Sequence, residues 1–246
     1  MNGSLEKDLV CCKKKTGENI LDLTAIFDFF LPRFCSHCKT KLTSSEKFIC
    51  GNCFNNIQPA SIERIKKEFD RKFLHKNTIT GFTSLFVFEK DKELQSLIHS
   101  LKYENKFLAG LYIGELIAQQ RKEFILNWEI DLIIPIPLHR LRKIDRGYNQ
   151  SYYIAKGLSK YFNIPLSGKI LSRSKFTKSQ TTLNLKEREE NISGAFNLKK
   201  HKTVSGKNIL LVDDVITTGA TTNECAKVLL EAGANNVYAI SAAIAD

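Results

Sequence analysis

The chain is short of the residues that interrupt regular structure and has no apolar run long enough to cross a bilayer. It holds five prolines, one tryptophan and one methionine in 246 residues. Its longest apolar stretch, Ile20 to Leu31, is broken by Asp22 and Asp28, and a spanning helix needs about 20 apolar residues. The opening MNGSLEKDLVCCKKK is polar throughout and lacks the apolar core and small-residue cleavage site of a secretory leader. These absences lead to the expectation of a cytoplasmic protein with no membrane insertion. The sequence also contains neither G-x-x-x-x-G-K-[ST] nor G-x-G-x-x-G, which excludes the two commonest glycine loops for nucleotides. It has no internal repeat and no low-complexity segment, and its 43% apolar content supplies a core for one α/β domain with a small appendage.

Seven cysteines are present, and four of them are tightly spaced as Cys35-x2-Cys38 and Cys50-x2-Cys53. Two such pairs are the usual way a chain builds a tetrahedral thiolate site for zinc. Four sulfurs leave no open position, so the metal is expected to be structural. Zinc ribbons often place glycine after the second cysteine of each pair, whereas Lys39 and Phe54 stand here. His37 is read as a bystander, and Cys11, Cys12 and Cys225 are assigned no chemistry.

The pattern divides the chain at about residue 76. Residues 18–31 have helix-like apolar spacing ended by Pro32, the cysteine cluster follows, and Ser61 to His75 reads as an exposed amphipathic helix. Residues 18–76 are thus expected to form an N-terminal zinc-ribbon-like domain. Thr78 to Phe88 is β-branched and aromatic and reads as a strand or hairpin, and Lys92 to Gln120 reads as helix with a break near Asn105. Strands then alternate with helices: DLIIPIP, Asn149 to Phe162, Lys169 to Leu171, NILLVDD, Thr221 to Ala232 and VYAISAAIA. That alternation predicts a parallel sheet flanked by helices over residues 77–246.

Chemistry concentrates in ILLVDDVITTGATT. Four apolar residues suit a central strand, and the carboxylates Asp213 and Asp214 follow where open α/β sheets bind ligands. Thr217, Thr218, Gly219, Ala220 and Thr221 make a turn into a helix, where backbone N–H groups and hydroxyls hold a phosphate. Adjacent carboxylates accept hydrogen bonds from vicinal sugar hydroxyls. Acids beside a phosphate cradle therefore suggest a ribose 5-phosphate, although a threonine-capped helix after an Asp-ending strand is common in any α/β protein.

Upstream, IIPIPLHRLRKIDRGYNQ is expected to run from a strand into a rigid loop that carries His139, Arg140, Arg142, Lys143 and Arg146. Arginine forks are suited to a diphosphate, and His139, Arg140 and Arg142 are the residues expected to meet it. The net charge is +11, and residues 138–210 contain 16 Lys+Arg against 4 Asp+Glu. A polyanionic ligand is one explanation and a solvated basic surface is the other.

The acid-threonine segment resembles the motif for 5-phosphoribosyl 1-pyrophosphate (PRPP) of type I phosphoribosyltransferases. PIPLHRLRKIDRGYNQ, LKYENKFLAG, LPRFCSHC and the spacing of Arg173, Thr177, Gln180, Leu183, Arg188, Asn191, Ala195 and Phe196 resemble the ComF family of competence-associated proteins, over about Leu21 to Ile244. The resemblance implies a type I phosphoribosyltransferase fold with an N-terminal four-cysteine zinc domain. It places ribose hydroxyls on Asp213 and Asp214, the 5-phosphate on Thr217 to Thr221, and Mg²⁺ with the PRPP, while the long, polar and basic segment 173–196 itself reads as a mobile lid over the site. It also implies a role in DNA uptake and natural transformation, with single-stranded DNA and a competence helicase as partners. The alternative is an active Mg²⁺-dependent transferase moving ribose 5-phosphate to an acceptor in nucleotide or related metabolism. The residues do not identify that acceptor, and they mark no catalytic residue.

Overall fold

The computed structural model describes residues 32–89, 92–103, 107–175, 192–199 and 203–245. The expected helix at 18–31 and most of the expected lid lie outside these. In chain order the elements are helices α1 (Gly51–Asn55) and α2 (Ile62–Lys72), strand β1 (Gly81–Val87), helices α3 (Glu93–Tyr103), α4 (Phe107–Gln120) and α5 (Lys122–Asn127), and strand β2 (Leu132–Pro135). Helices α6 (Arg140–Arg146) and α7 (Gln150–Phe162), strands β3 (Leu171–Arg173), β4 (Phe196–Leu198) and β5 (Asn208–Ile216), helix α8 (Ala220–Glu231) and strand β6 (Asn236–Ile244) complete them.

Four strands form a parallel sheet in the order β1-β6-β5-β2, and β3 pairs with β4 as a separate antiparallel ribbon. The two central strands are covered on both faces: Ile209 to Val212 and Val237, Ala239 and Ile240 are all at most 1% exposed. This is why both read as continuous apolar runs. Pro135 faces Val212 at the end of β2, whose other side makes, among the described residues, only the isolated bridge Ile133 to Leu166. Proline is tolerated at such an edge.

One face of the sheet is covered by α3, α4 and α7, the other by α2, α8 and the small ribbon. Helices α4 and α7 touch backbone to backbone. A Cβ on Gly114 would lie 2.2 Å from the Ile154 carbonyl oxygen, and one on Gly157 would lie 2.5 Å from that of Leu111, so only glycine permits this approach. The close contact matters downstream because α7 carries Ser151 to the cleft.

The cysteine segment is not separate from the sheet's core. Cys35, Leu42, Ile49, Cys50, Cys53 and Ile57 pack in one cluster with Leu85, Phe86 and Leu94. Lys39 takes φ +62°, the left-handed conformation that glycine usually supplies at this point of a ribbon. Phe54 instead belongs to helix α1, and its ring meets Phe86 edge-on at 6.0 Å, so this position serves packing.

Two expectations are corrected. Helix α2 is not an exposed helix, since Ile65, Glu68 and Lys72 are buried. Its alternation of apolar and charged residues concealed a buried ion pair. The basic segment after β2 is not a continuous loop, because Arg140–Arg146 forms helix α6. The prolines upstream end the strand without preventing a helix five residues later.

Candidate functional site

Strand β5 extends past the acidic pair to Ile216, with Asp213 facing Ser241 of β6 in register. The Ser151 hydroxyl, on the first turn of α7, donates to Asp213 Oδ1 at 2.9 Å, and the Asp214 amide donates to the same oxygen at 2.9 Å. On Asp214, Oδ1 accepts the Val215 amide at 2.8 Å, and Oδ2 pairs with Lys102 Nζ at 3.0 Å. Burial and the adjacent Asp214 charge push Asp213 up to about 7, against the two hydrogen bonds that favour its ionised form. Burial would raise Asp214 as well, but Lys102, by charge and hydrogen bond, holds it below the ordinary carboxylate range. The two adjacent carboxylates are thus shifted in opposite directions, Asp214 having the direct ion pair with Lys102.

Thr217 to Thr221 line the same cleft as both acids, a cavity of about 390 Å³. Gly219 stands at the N-cap of α8 with φ +77°. A Cβ there would lie 2.9 Å from Phe73 Cε1 and 3.1 Å from Lys72 Cβ. The turn therefore rests directly on the end of α2. From that end Lys72 donates to the Thr217 carbonyl and, at 2.8 Å, to the Ala245 carbonyl. Glu68 Oε2 also pairs with the Lys72 ammonium at 2.9 Å.

Of the three residues expected to meet a diphosphate, Arg142 lines this cleft. Arg140 lines an adjoining groove. His139 caps α6, its Nδ1 accepting the Leu141 amide at 3.2 Å. Lys102, Arg146 and Arg173 add further positive charge to the cleft wall. The lining offers carboxylate acceptors for hydroxyls, a helix N-terminus and threonines for a phosphate, and guanidinium groups.

Sequence reasoning did not assign Lys102, Ser151 or Lys72 to the site. Lys102 sits within LKYENKFLAG, noted only for its family resemblance, while Lys72 meets carbonyls 145 and 173 residues away and its one local partner, Glu68, has the i,i+4 spacing of any exposed helical ion pair.

The four cysteine sulfurs lie within 4.8 Å of one another, and Cys38 Sγ is 3.6 Å from Cys50 Sγ. Tetrahedral zinc thiolates, with Zn–S near 2.3 Å, need S···S separations of ~3.8 Å, so the set can take a metal such as zinc. Hydrogen bonding to the Thr40 side chain and backbone lowers Cys38 to about 6, whereas burial and the neighbouring thiols push Cys53 up, so only a bound cation would hold all four as the thiolates that a metal site requires. His37 is not in the cluster. Its Nδ1 lies 3.0 Å from Ser96 Oγ on α3, and the Ser36 hydroxyl donates to Ser100 Oγ at 3.4 Å. Helix α3 is therefore docked on the cysteine segment through Ser96 and Ser100 and carries Lys102, two residues beyond, to Asp214.

Residues 103–246 match the family model described as "Phosphoribosyl transferase domain". "Competence protein F" of Haemophilus influenzae is 29% identical over 208 residues, covering 83% of this chain and 81% of that protein. "DNA utilization protein YhgH" of Escherichia coli K12 is 32% identical over 146 residues, covering 57% of this chain and 63% of that protein. "Competence protein ComFC" of Bacillus subtilis is 35% identical over 102 residues, 42% of this chain and 39% of that protein. No described helix is long and apolar enough to cross a membrane. With the family model spanning more than half its length, the chain belongs to the phosphoribosyl transferase domain family and, within it, to the ComF-type proteins.

Proposed function

We propose that the cleft binds PRPP and that the protein acts, in the cytoplasm, in the uptake and use of DNA. The observation that carries the PRPP reading is the meeting of Asp213, Asp214 and the Thr217–Thr221 turn in one cavity walled by Arg142, Arg146 and Arg173. In this reading the carboxylates accept from the ribose hydroxyls, the turn and α8 hold the 5-phosphate, and the arginines face the diphosphate. Mg²⁺ with the diphosphate would neutralise part of its charge, a role for which hard oxygen donors are suited. Zinc in the four-cysteine site would hold the knuckle against α3. The DNA role is supported by the printed names of the relatives and by the basic excess of residues 138–210. Single-stranded DNA and a competence helicase are the partners it implies.

Calorimetric titration of PRPP with Mg²⁺ tests this, with diphosphate release followed in the same sample. Binding by the wild type and its loss in Asp213→Asn with Asp214→Asn is the expected result, and unchanged affinity in that double variant sinks the assignment. Diphosphate release that depends on an added acceptor would make the protein a transferase. Binding without release would make PRPP a ligand of a DNA-handling protein.

A further inference from the structure

Beside the acidic cleft lies a larger groove of about 790 Å³, bounded by α6, the start of α7 and the segment from Leu166 to Arg173. It shares Pro137, Leu138 and Arg173 with the cleft, so the two open onto each other. Its size falls within the range of small-molecule sites, roughly 300–1,000 Å³.

Its walls combine two chemistries. Arg140, Lys143, Lys169, Arg173 and Lys199 come from three separate segments and converge on it, and among the described residues no carboxylate lines it. Tyr148, Tyr152 and Tyr153 supply aromatic surface. These rings are fixed in place: Tyr153 meets Tyr148 edge-on at 5.2 Å and Tyr152 edge-on at 5.5 Å, and it packs on Phe107 at 5.1 Å. The Tyr148 hydroxyl donates to the Leu101 carbonyl.

A simple phosphate has no use for the tyrosines, and an apolar ligand has none for five cations. A solvated basic face is not concave and does not hold three half-buried rings against its charges. We propose that this groove is a nucleotide-binding site, distinct from the acidic cleft, in which a base lies against Tyr152 and its phosphate is met by Lys143, Lys169 and Lys199. The nucleotide is either free or one unit of a single strand, since both present a π-face joined to a phosphate. The site itself does not depend on the PRPP reading. Its coupling to that ligand does, through the shared wall of Leu138 and Arg173.

The test uses the full, metal-loaded chain at low salt, with a fluorescent oligothymidylate read by anisotropy and with dTMP and AMP read by calorimetry. Tyr152→Ala is expected to weaken binding by about tenfold, the loss of one stacked base. Lys143→Glu with Lys169→Glu, both exposed positions, is expected to weaken it at least as much, with thermal melts confirming folding. Asp213→Asn with Asp214→Asn should leave nucleotide affinity within about twofold, which separates this site from the cleft whether or not PRPP binds there. Competition by dTMP or AMP identifies free nucleotide as the occupant, and binding by the oligonucleotide alone identifies a strand. Absence of all binding overturns the proposal. So does binding insensitive to both groove variants, or binding lost equally in the acid double variant.

Discussion

Lys72, at the end of α2, donates to the carbonyl of Thr217 in the ligand turn, 145 residues further along the chain. The same ammonium reaches the Ala245 carbonyl just past β6 and pairs with Glu68, and its side chain is only 2% exposed. Two carbonyls and a carboxylate converge on one buried cation, which fixes the turn to the helix beneath it. Lys72→Met removes the donor and leaves Glu68 with Arg64 and Arg71 alone. Because two arginines still meet Glu68, the loss should fall below the ~3–5 kcal/mol of a buried charge left wholly uncompensated. Urea unfolding should show that loss for Lys72→Met, and the further change Glu68→Gln should recover part of it.

Gly219 is held by the same support from the side of Phe73. With φ +77° and less than 3 Å from a Cβ to the Phe73 ring, Gly219→Ala combines left-handed strain of about 1–2 kcal/mol with a clash against a fully buried ring. Calorimetry is expected to show a loss of PRPP affinity larger than the loss of stability. Equal effects on both would mean that the turn contributes packing alone.

The contrast between these residues and the acid motif explains what the sequence made legible. Asp213 to Thr221 are contiguous, and their strand, turn and helix are specified within fourteen residues, so local pattern suffices. The cysteine pairs are legible for the same reason. Lys72, Lys102 and Ser151 reach the site from α2, α3 and α7, and no periodicity in those helices distinguishes them from surface polar residues. Glu68 and Lys72 even weakened the correct reading of α2, because charged residues at apolar-face spacing look exposed until their partnership is seen. Helix α6 escaped notice since its two apolar residues, Leu141 and Ile144, are both exposed and leave no amphipathic signal toward a core.

The pH response follows from Asp213. In the folded protein it holds its proton up to about pH 7, while in the unfolded chain it titrates at about 3.9. Between those values the native state binds the extra proton, so this group's contribution is full below about pH 3.9 and is lost as pH rises through about 7. Asp213→Asn should therefore raise Tm at pH 8, by about 2–4 °C for each kcal/mol recovered, and flatten the stability profile from pH 5 to 8. Binding of a ribose ligand needs the ionised acceptor, so PRPP affinity should rise through pH 7 in the wild type. An affinity profile flat across that range would show that Asp213 is not the titrating acceptor.

Metal removal should reach the cleft through α3. The cysteine segment meets that helix by Ser36 on Ser100 and His37 on Ser96, and the helix delivers Lys102 to Asp214 at 3.0 Å. Stripping the metal with a chelator releases four thiolates, three of which, Cys35, Cys50 and Cys53, share a core cluster with Leu94 and Leu97 of α3, and a loss of about 3 kcal/mol corresponds to a fall in Tm on the order of 10 °C. A chromogenic chelator titration should find one zinc per chain, and PRPP affinity should fall on its removal. Lys102→Met provides the discriminating comparison: if the metal acts on the cleft through this lysine, chelation should weaken PRPP binding in the wild type and have little additional effect in the variant. Equal losses in both would place the coupling elsewhere in the shared core.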